Sequence, residues 1–223
     1  MNAKLFFQAF GKFFAGLILI GLLLFLPAGT LRFRNGWLFI GLLFGPMFLA
    51  GLVMMAKAPD LLKKRLNANE EEKEQKTVLL LSALMFLAAF LLAGLNFRFG
   101  WITLPDWAVW AASAVFLAGY ALYAEVMREN AYLSRTVEVQ EDQKVIDMGL
   151  YGVVRHPMYA ATLLLFLSMG LVLGSPLSFA VLLFYIPIIA KRIRNEEAVL
   201  TEGLEGYAEY RERVKYKVIP FIW

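Results

Sequence analysis

Long uncharged stretches constrain the fold of this chain more than any other feature of its sequence. A helix that crosses roughly 30 Å of hydrocarbon needs about 20 apolar residues. Stretches of that length occupy Phe13–Leu31, Gly36–Ala56 and Thr77–Phe97, and a longer one occupies Met158–Ala190; Leu104–Met127 is uncharged apart from Asp106 and Glu125 close to its ends. Hydrophobic residues make up 60% of the 223-residue chain, a larger share than in ordinary soluble domains. The sequence therefore predicts an all-α, polytopic transmembrane protein with about five membrane segments.

The basic residues predict how these segments are oriented. If the N-terminus lies in the cytoplasm, only Arg32, Arg34 and Arg98 of the 22 lysines and arginines fall on the opposite side. Cytoplasmic loops of membrane proteins are enriched in these residue types. We therefore predict a multi-pass protein with both termini in the cytoplasm, whose first segment is retained rather than cleaved as a signal peptide. The net charge of +4 then reflects topology, and we expect membrane lipids rather than nucleic acid as partners.

The fifth stretch, Met158–Ala190, is predicted to fold back on itself. As one helix it would be about 48 Å long, and it would carry the basic C-terminal residues to the wrong side. The cluster Gly174-Ser175-Pro176 at its centre is typical of a turn. The prediction is a helical hairpin with arms Met158–Leu173 and Leu177–Ala190, followed by a cytoplasmic helix over Arg192–Tyr216.

Two sets of residues are predicted to serve the fold alone. The leucines of the charged segment Pro59–Lys76 would lie on the bilayer surface; they are Leu61, Leu62 and Leu66. The pairs Gly41–Gly45 and Gly170–Gly174 have the spacing that lets membrane helices approach closely.

Composition excludes several kinds of chemistry. The chain has no cysteine and one histidine, which excludes disulfides, thiolate catalysis and histidine-rich metal sites, so no metal is expected. No Gly-x-Gly-x-x-Gly sequence occurs, so a Rossmann-type cofactor site is not supported. Asp106 and Glu125 lie near the ends of their stretch, whereas a transporter typically carries ionisable residues in the middle of its spans.

The single histidine, His156, lies in the most distinctive segment, Gly149–Tyr159. Arg155 precedes it, Pro157 follows it, and a tyrosine flanks it on each side. Ionisable residues kept where a chain enters lipid often mark a functional site, and tyrosine faces suit an adenine ring or a cation. The alternative is structural, because Pro157 suits the first turn of a helix, His156 would cap it and Arg155 would anchor it at the interface.

Two further motifs are ambiguous on their own. Arg192 and Glu196 are four residues apart and share a helix face, so they form either part of a site or an ordinary surface pair. Tyr207 and Tyr210 follow at helical spacing, where they would serve equally well for packing. The segment Gln143-Lys144-Val145-Ile146 indicates only a loop.

In combination these motifs resemble one family. Their order is Val145-Ile146, Gly149-x-Tyr151, Arg155-His156-Pro157-x-Tyr159, an apolar hairpin, Arg192-x-x-x-Glu196-Glu197-x-x-Leu200, Tyr207-x-x-Tyr210 and Ile219-Pro220. The pattern, from about Asn130 onward, resembles the isoprenylcysteine carboxyl methyltransferase and phospholipid methyltransferase group of integral-membrane enzymes. On this resemblance, residues 1–223 form one membrane-embedded methyltransferase domain. Residues 1–127 would supply transmembrane helices, and residues 128–223 the cofactor-binding and catalytic part.

The resemblance implies methyl transfer from S-adenosylmethionine to a lipidic or amphipathic acceptor, with the cofactor bound on the cytosolic side. The implied cofactor contacts are Gln143, Lys144, Val145, Ile146, Tyr151, His156, Pro157, Met158, Tyr159 and Glu196. Arg192, Glu196 and His156 would be the catalytic residues, with Arg192 facing the acceptor. The chain departs from the family at Gln143, where a histidine is usual. It also departs before Tyr207, where the stretch looks one residue shorter than the family's Phe-Gly-x-x-Tyr.

The acceptor and an alternative reaction stay open at this point. A carboxylate acceptor of the prenylcysteine type needs no general base, whereas a protonated amine must first lose a proton. The other acceptors that stay open are phosphatidylethanolamine, a thiol and another small lipid. The alternative function is an NADPH-dependent membrane sterol or enone reductase of related architecture. Such reductases carry an Arg-His-x-Asn-Tyr pattern, and Pro157-Met158-Tyr159 lacks its asparagine.

Overall fold

The chain folds as a bundle of helices. The computed structural model describes residues 3–66, 73–130, 132–133 and 139–223, and within those ranges it contains no strand. The helices are α1 Ala3–Ala28, α2 Arg34–Lys57, α3 Pro59–Leu66, α4 Lys73–Phe99, α5 Asp106–Glu129, α6 Pro157–Val172, α7 Pro176–Leu182, α8 Tyr185–Gly203 and α9 Tyr207–Arg213, with a 3-10 turn at Gly149–Gly152. The all-α prediction is confirmed.

Five segments among the described residues are long and apolar enough to cross a membrane. They are Leu5–Ala28, Arg34–Lys57, Gln75–Phe99, Asp106–Glu129 and Pro176–Gly203. The first four correspond to the four shorter apolar stretches of the sequence, so the polytopic prediction is confirmed. The first helix ends at Ala28 rather than Leu31 because Gly29 takes a φ of +68°, a left-handed conformation that glycine adopts readily. The side of the membrane on which the termini lie stays a prediction.

The predicted helical hairpin is confirmed. Its first arm is α6, its second begins with α7, and Gly174 makes the turn with a φ of +70°. Ser175 caps α7, since its side chain accepts a hydrogen bond from the backbone N–H of Ser178 at 3.2 Å. The arms lie so close that a Cβ added at Gly170 would collide with the backbone of Phe179. Gly170 therefore serves helix packing, as its spacing predicts.

The predicted boundary at Arg192 is wrong. No helix begins there, because α8 continues the second arm of the hairpin through Arg192 to Gly203. Helix α8 is unbroken from Tyr185 to Gly203, and the polar residues lie in its second half. The chain turns only at Gly206, whose φ is +81°, and the separate C-terminal helix is the short α9.

Two other structural predictions are also corrected. A Cβ added at Gly41 or Gly45 would meet nothing within 4 Å, so this pair does not bring two helices together. Leu62 packs inside the molecule with 4% of its surface exposed, rather than lying on the bilayer surface. Residues 67–72 of the same charged segment lie outside the described ranges.

Close packing joins the helices around one core. Buried side chains from α1, α2 and α4 to α8 contribute to it, among them Leu24, Phe39, Phe116 and Ile189. A Cβ at Gly94 of α4 would lie 2.6 Å from the carbonyl oxygen of Leu24 in α1, so these two backbones nearly touch. Lipid tails are as apolar as these side chains, so shape complementarity rather than exclusion from water stabilises the bundle.

Candidate active site

Polar side chains from separate parts of the chain meet at one end of the bundle, which we call the polar end. The start of α6, the second half of α8 and residues 214–217 lie side by side there. The backbone N–H of Arg155 donates to the carbonyl of Tyr216 at 2.9 Å, and that of His156 donates to the carbonyl of Lys217 at 2.7 Å. These bonds fix the segment after α9 against the entrance to α6.

Glu197 is the centre of a buried ionic cluster. Its Oε1 accepts a hydrogen bond from Arg155 Nε at 2.8 Å and lies 3.2 Å from His156 Nε2, and its Oε2 accepts from Lys217 Nζ at 2.8 Å. Glu197 as a whole is 6% exposed, and Arg155 also donates to the carbonyl of Val214 at 2.8 Å. A buried charge is tolerated when it is paired and hydrogen-bonded in this way. Glu197 therefore ties α6, α8 and the C-terminal segment together.

The same cluster orients His156. An ionised carboxylate can only accept hydrogen bonds, so Nε2 of the imidazole carries the proton that faces Glu197. The other ring nitrogen, Nδ1, lies 4.0 Å from Oε1 of Glu196. His156 occupies the position before the first residue of α6, but its side chain makes no capping bond. The structural alternative, a histidine that caps the helix, is thereby excluded.

Glu196 and Arg192 meet through a tyrosine. The hydroxyl of Tyr159 donates to Oε2 of Glu196 and accepts from Arg192 Nε at 3.0 Å. On its other side, Arg192 Nη1 donates to Oε1 of Gln75 at 3.3 Å, and Gln75 is buried in α4. These bonds hold the guanidinium from two sides. The side chain of Glu196 keeps a quarter of its surface exposed.

Three tyrosines surround this arrangement as neutral phenols. Tyr151 accepts a hydrogen bond from Asn130 Nδ2 at 2.9 Å, and its backbone carbonyl accepts one from the Tyr210 hydroxyl at 2.8 Å. Burial raises the pKa of Tyr151 to about 12 and also raises the pKa values of Tyr207 and Tyr210. The Tyr207 hydroxyl is buried without a hydrogen-bond partner among the described residues. The three rings thus offer aromatic faces and uncharged hydroxyls at neutral pH.

These side chains enclose a cavity of about 400 Å³, which we call the site cavity. Its wall contains all but one of the residues implied by the sequence resemblance, namely Gln143, Lys144, Val145, Ile146, Tyr151, His156, Met158, Tyr159, Arg192 and Glu196. The exception is Pro157, whose side chain is buried at the start of α6 and does not face the cavity. A cavity of this size is within the range of small-molecule sites.

Sequence reasoning missed several members of the site. Arg65, Tyr123, Thr162 and Tyr185 belong to the cavity wall, but each lies in or beside a stretch that the sequence marks only as membrane-spanning or charged. Gln75 likewise carries no sequence signal of its own. Glu197 was detectable as the second acidic residue of the Glu-Glu motif, although its buried position behind His156 was not.

The wall is rich in positive charge. Arg65, Lys144, Arg155 and Arg192 line it, and Glu196 is the one carboxylate among the described wall residues. Such a wall suits a ligand that carries both an amino group and an acidic group, because Glu196 offers a partner to the first and the basic residues to the second.

Fold and cavity together define a class, a polytopic helical membrane protein with a polar cavity of small-molecule size at one end of its bundle. The model of the isoprenylcysteine carboxyl methyltransferase (ICMT) family matches residues 110–202, from α5 through α8. This segment of the chain is therefore similar to that family, in agreement with the resemblance drawn from the sequence motifs.

Curated relatives extend the comparison to a second kind of enzyme. The chain is 24% identical over 135 residues to the Delta(14)-sterol reductase of Methylotuvimicrobium alcaliphilum, a match over 54% of this chain and 32% of that protein. It is 31% identical over 91 residues to Delta(14)-sterol reductase TM7SF2 of Mus musculus, over 40% of this chain and 22% of that protein. The chain thus matches about a third or less of the length of these relatives.

Proposed function

We propose that this protein transfers a methyl group from S-adenosylmethionine to a lipidic acceptor. The observation that carries the proposal is the site cavity itself, where the start of α6 and the second half of α8, both within the family match, converge on Glu196 and His156. The residues present fit this cofactor, because one carboxylate, several cations and buried tyrosine rings line a single wall. When bound, S-adenosylmethionine supplies a methyl group on a positively charged sulfur.

The chain's own residues would bind the cofactor and orient it. Glu196 would accept hydrogen bonds from the amino group of the cofactor, and the faces of Tyr151 and Tyr159 would stack with its adenine or stabilise its positive charge. Lys144 would pair with its carboxylate. Gln143, Val145, Ile146 and Met158 would enclose the rest of the molecule.

Arg192 would position the acceptor. Its guanidinium is held by Tyr159 and Gln75, so it can present a fixed donor fork to an anionic acceptor group. Holding two reactants in line contributes about 7–11 kcal/mol to lowering a barrier. An ionised acceptor, such as the carboxylate of a prenylcysteine, needs no base. For a protonated acceptor, His156 is the wall residue able to take the proton.

Binding of tritiated S-adenosylmethionine to the purified protein tests the proposal. We expect Glu196→Gln and His156→Ala to abolish binding while the protein still inserts into the membrane. Glu202→Gln is the matched control, because Glu202 is an exposed residue of the same helix. Unchanged affinity in both site variants would overturn the proposed site.

The sterol reductase relatives favour one alternative, an NADPH-dependent reduction of a sterol or another enone lipid. It predicts that NADPH rather than S-adenosylmethionine binds the protein. Equilibrium binding of both compounds to the same preparation separates the two. We expect S-adenosylmethionine to bind and NADPH not to compete with it; the reverse result would replace the methyltransferase proposal.

A further inference from the structure

Two tyrosines of α9 that are equivalent in the sequence differ in their hydrogen bonding. Tyr207 and Tyr210 are both buried, with 4% and 3% of their surfaces exposed, and their ring centroids lie 5.7 Å apart. The hydroxyl of Tyr210 donates to the carbonyl of Tyr151 at 2.8 Å. The hydroxyl of Tyr207 has no hydrogen-bond partner among the described residues. Tyr210 therefore fastens α9 to the turn before α6, whereas packing alone does not account for the hydroxyl of Tyr207.

A buried hydroxyl without a partner is unfavourable for the protein on its own. Taking a hydroxyl out of water costs free energy unless a hydrogen bond replaces the lost ones, and a phenylalanine at this position would fill nearly the same space without that cost. Tyr207 belongs to the wall of the site cavity. A ligand in that cavity can supply the missing partner, and a hydroxyl both donates and accepts hydrogen bonds.

The charges around Tyr207 indicate which part of a ligand the hydroxyl would meet. Burial raises the pKa of Tyr207, the carboxylates of Glu197 and Glu196 raise it further, and Arg155 acts in the opposite direction. The hydroxyl is therefore neutral at neutral pH and lies within electrostatic reach of groups of both signs. One of these groups is Glu196, the carboxylate of the cavity wall that would take the amino group of the cofactor.

We propose that the hydroxyl of Tyr207 binds the amino-acid end of S-adenosylmethionine, beside Glu196. The proposal rests on the proposed function and adds a residue that determines which adenosyl compounds bind. An amino acid carries an ammonium donor and a carboxylate acceptor on one carbon, which matches a hydroxyl that accepts and donates. The nucleoside end carries no such pair of charges, and aromatic faces suffice for its adenine ring.

Equilibrium binding to the purified full-length protein tests the proposal with two compounds that compete against tritiated S-adenosylmethionine. S-Adenosylhomocysteine keeps the amino-acid end, and 5′-methylthioadenosine has the same nucleoside and a sulfur atom but lacks that end. We expect Tyr207→Phe to weaken the binding of S-adenosylhomocysteine by at least about tenfold, as the loss of one hydrogen bond to a charged group implies. The binding of 5′-methylthioadenosine should be unchanged.

The stability of the ligand-free protein gives a second readout, which a structural role would move in the opposite direction. Tyr207→Phe removes an unpartnered hydroxyl and should raise the unfolding temperature in detergent by about 2–4 °C. Tyr210→Phe removes a hydroxyl that is bonded to the carbonyl of Tyr151, and it should lower the unfolding temperature. Saturating S-adenosylhomocysteine should stabilise the unmodified protein more than it stabilises Tyr207→Phe.

Tyr216→Phe is the matched control. It removes a hydroxyl in the same way, but Tyr216 is half-buried, packs against Phe221 and is not part of the wall of the site cavity. We expect it to behave as the unmodified protein does in both measurements.

The possible results separate this proposal from the proposed function. If Tyr207→Phe weakens both compounds equally, or neither, the hydroxyl does not bind the amino-acid end. A fall in the unfolding temperature of Tyr207→Phe would show that the hydroxyl is bonded within the protein, and this too would overturn the proposal. If the unmodified protein does not bind S-adenosylmethionine, the proposed function is wrong, although the opposite stability shifts of the two α9 variants are still expected because they need no ligand.

Discussion

The open face of α2 and the polar end of the bundle differ in what determines their structure. A Cβ added at Gly41, Gly45 or Gly51 of α2 would meet nothing within 4 Å, so no close contact constrains the residues on this face of the helix. At the polar end, by contrast, the single carboxylate of Glu197 contacts three side chains, those of Arg155, His156 and Lys217. The family match, residues 110–202, includes Glu197 and excludes α2. An apolar helix can satisfy its environment with many sequences, whereas an interlocked ionic site requires particular residues at particular positions.

The largest effect is expected where the polar end is most interlocked. Glu197→Ala leaves Arg155 and His156 buried without their carboxylate, and removing one partner of a buried ion pair costs about 3–5 kcal/mol. We expect a large fall in the unfolding temperature in detergent and complete loss of cofactor binding. The unfolding temperature is measured by monitoring the circular dichroism of the helices as the protein is heated. A Glu197→Ala protein as stable as Glu202→Ala would show that the cluster does not stabilise the polar end.

The second-largest effect should separate the rate of methyl transfer from the affinity for the cofactor. Arg192→Ala should leave the affinity for S-adenosylmethionine within about threefold, yet lower turnover by about 100-fold, the size of effect that a misplaced reactant produces. Incubation with tritiated cofactor and a host lipid extract measures turnover, and it also identifies the labelled product. Equal losses in binding and turnover would instead assign Arg192 to the cofactor.

Gln75 tests whether the part of the chain outside the family match contributes to the site. Gln75→Ala removes the hydrogen bond from Arg192 Nη1, worth about 1.5–3 kcal/mol for a charged group. We expect turnover to fall about tenfold with little change in cofactor affinity. The exposed neighbour Lys76→Ala should behave as the unmodified protein does. If both variants are fully active, the contact between Gln75 of α4 and Arg192 does not contribute to turnover.

The smallest effect is expected on the open face. Gly45→Ala adds a methyl group to empty space and should stabilise α2 by up to about 1 kcal/mol. Gly94→Ala makes the same chemical change where a Cβ would lie 2.6 Å from the carbonyl oxygen of Leu24, and it should destabilise the protein. Unfolding temperatures of the two variants measure the contrast. Equal shifts would mean that α1 and α4 do not pack as closely as described.

Sequence reasoning succeeded where a property is local. Apolar length predicted the membrane segments, and Gly174-Ser175-Pro176 predicted the hairpin that returns α8 to the same end as the start of α6. It failed where the answer depends on what lies across the bundle. Adjacent residues of a helix point about 100° apart, so Glu196 faces the site cavity while Glu197 faces the interior, a distinction that the sequence does not reveal. Arg65 and Gln75 reach the site only through the packing of α3 and α4.

The hydrogen bonds from Arg155 and His156 to Tyr216 and Lys217 have a consequence for biosynthesis. A ribosome makes residues 214–217 after every described membrane segment, so all helices can enter the bilayer while the site still lacks these bonds and the lysine that pairs with Glu197. Insertion of the helices therefore does not require the contacts that residues 214–217 make at the polar end. The polar end is complete only once residues 214–217 have folded back onto the entrance of α6.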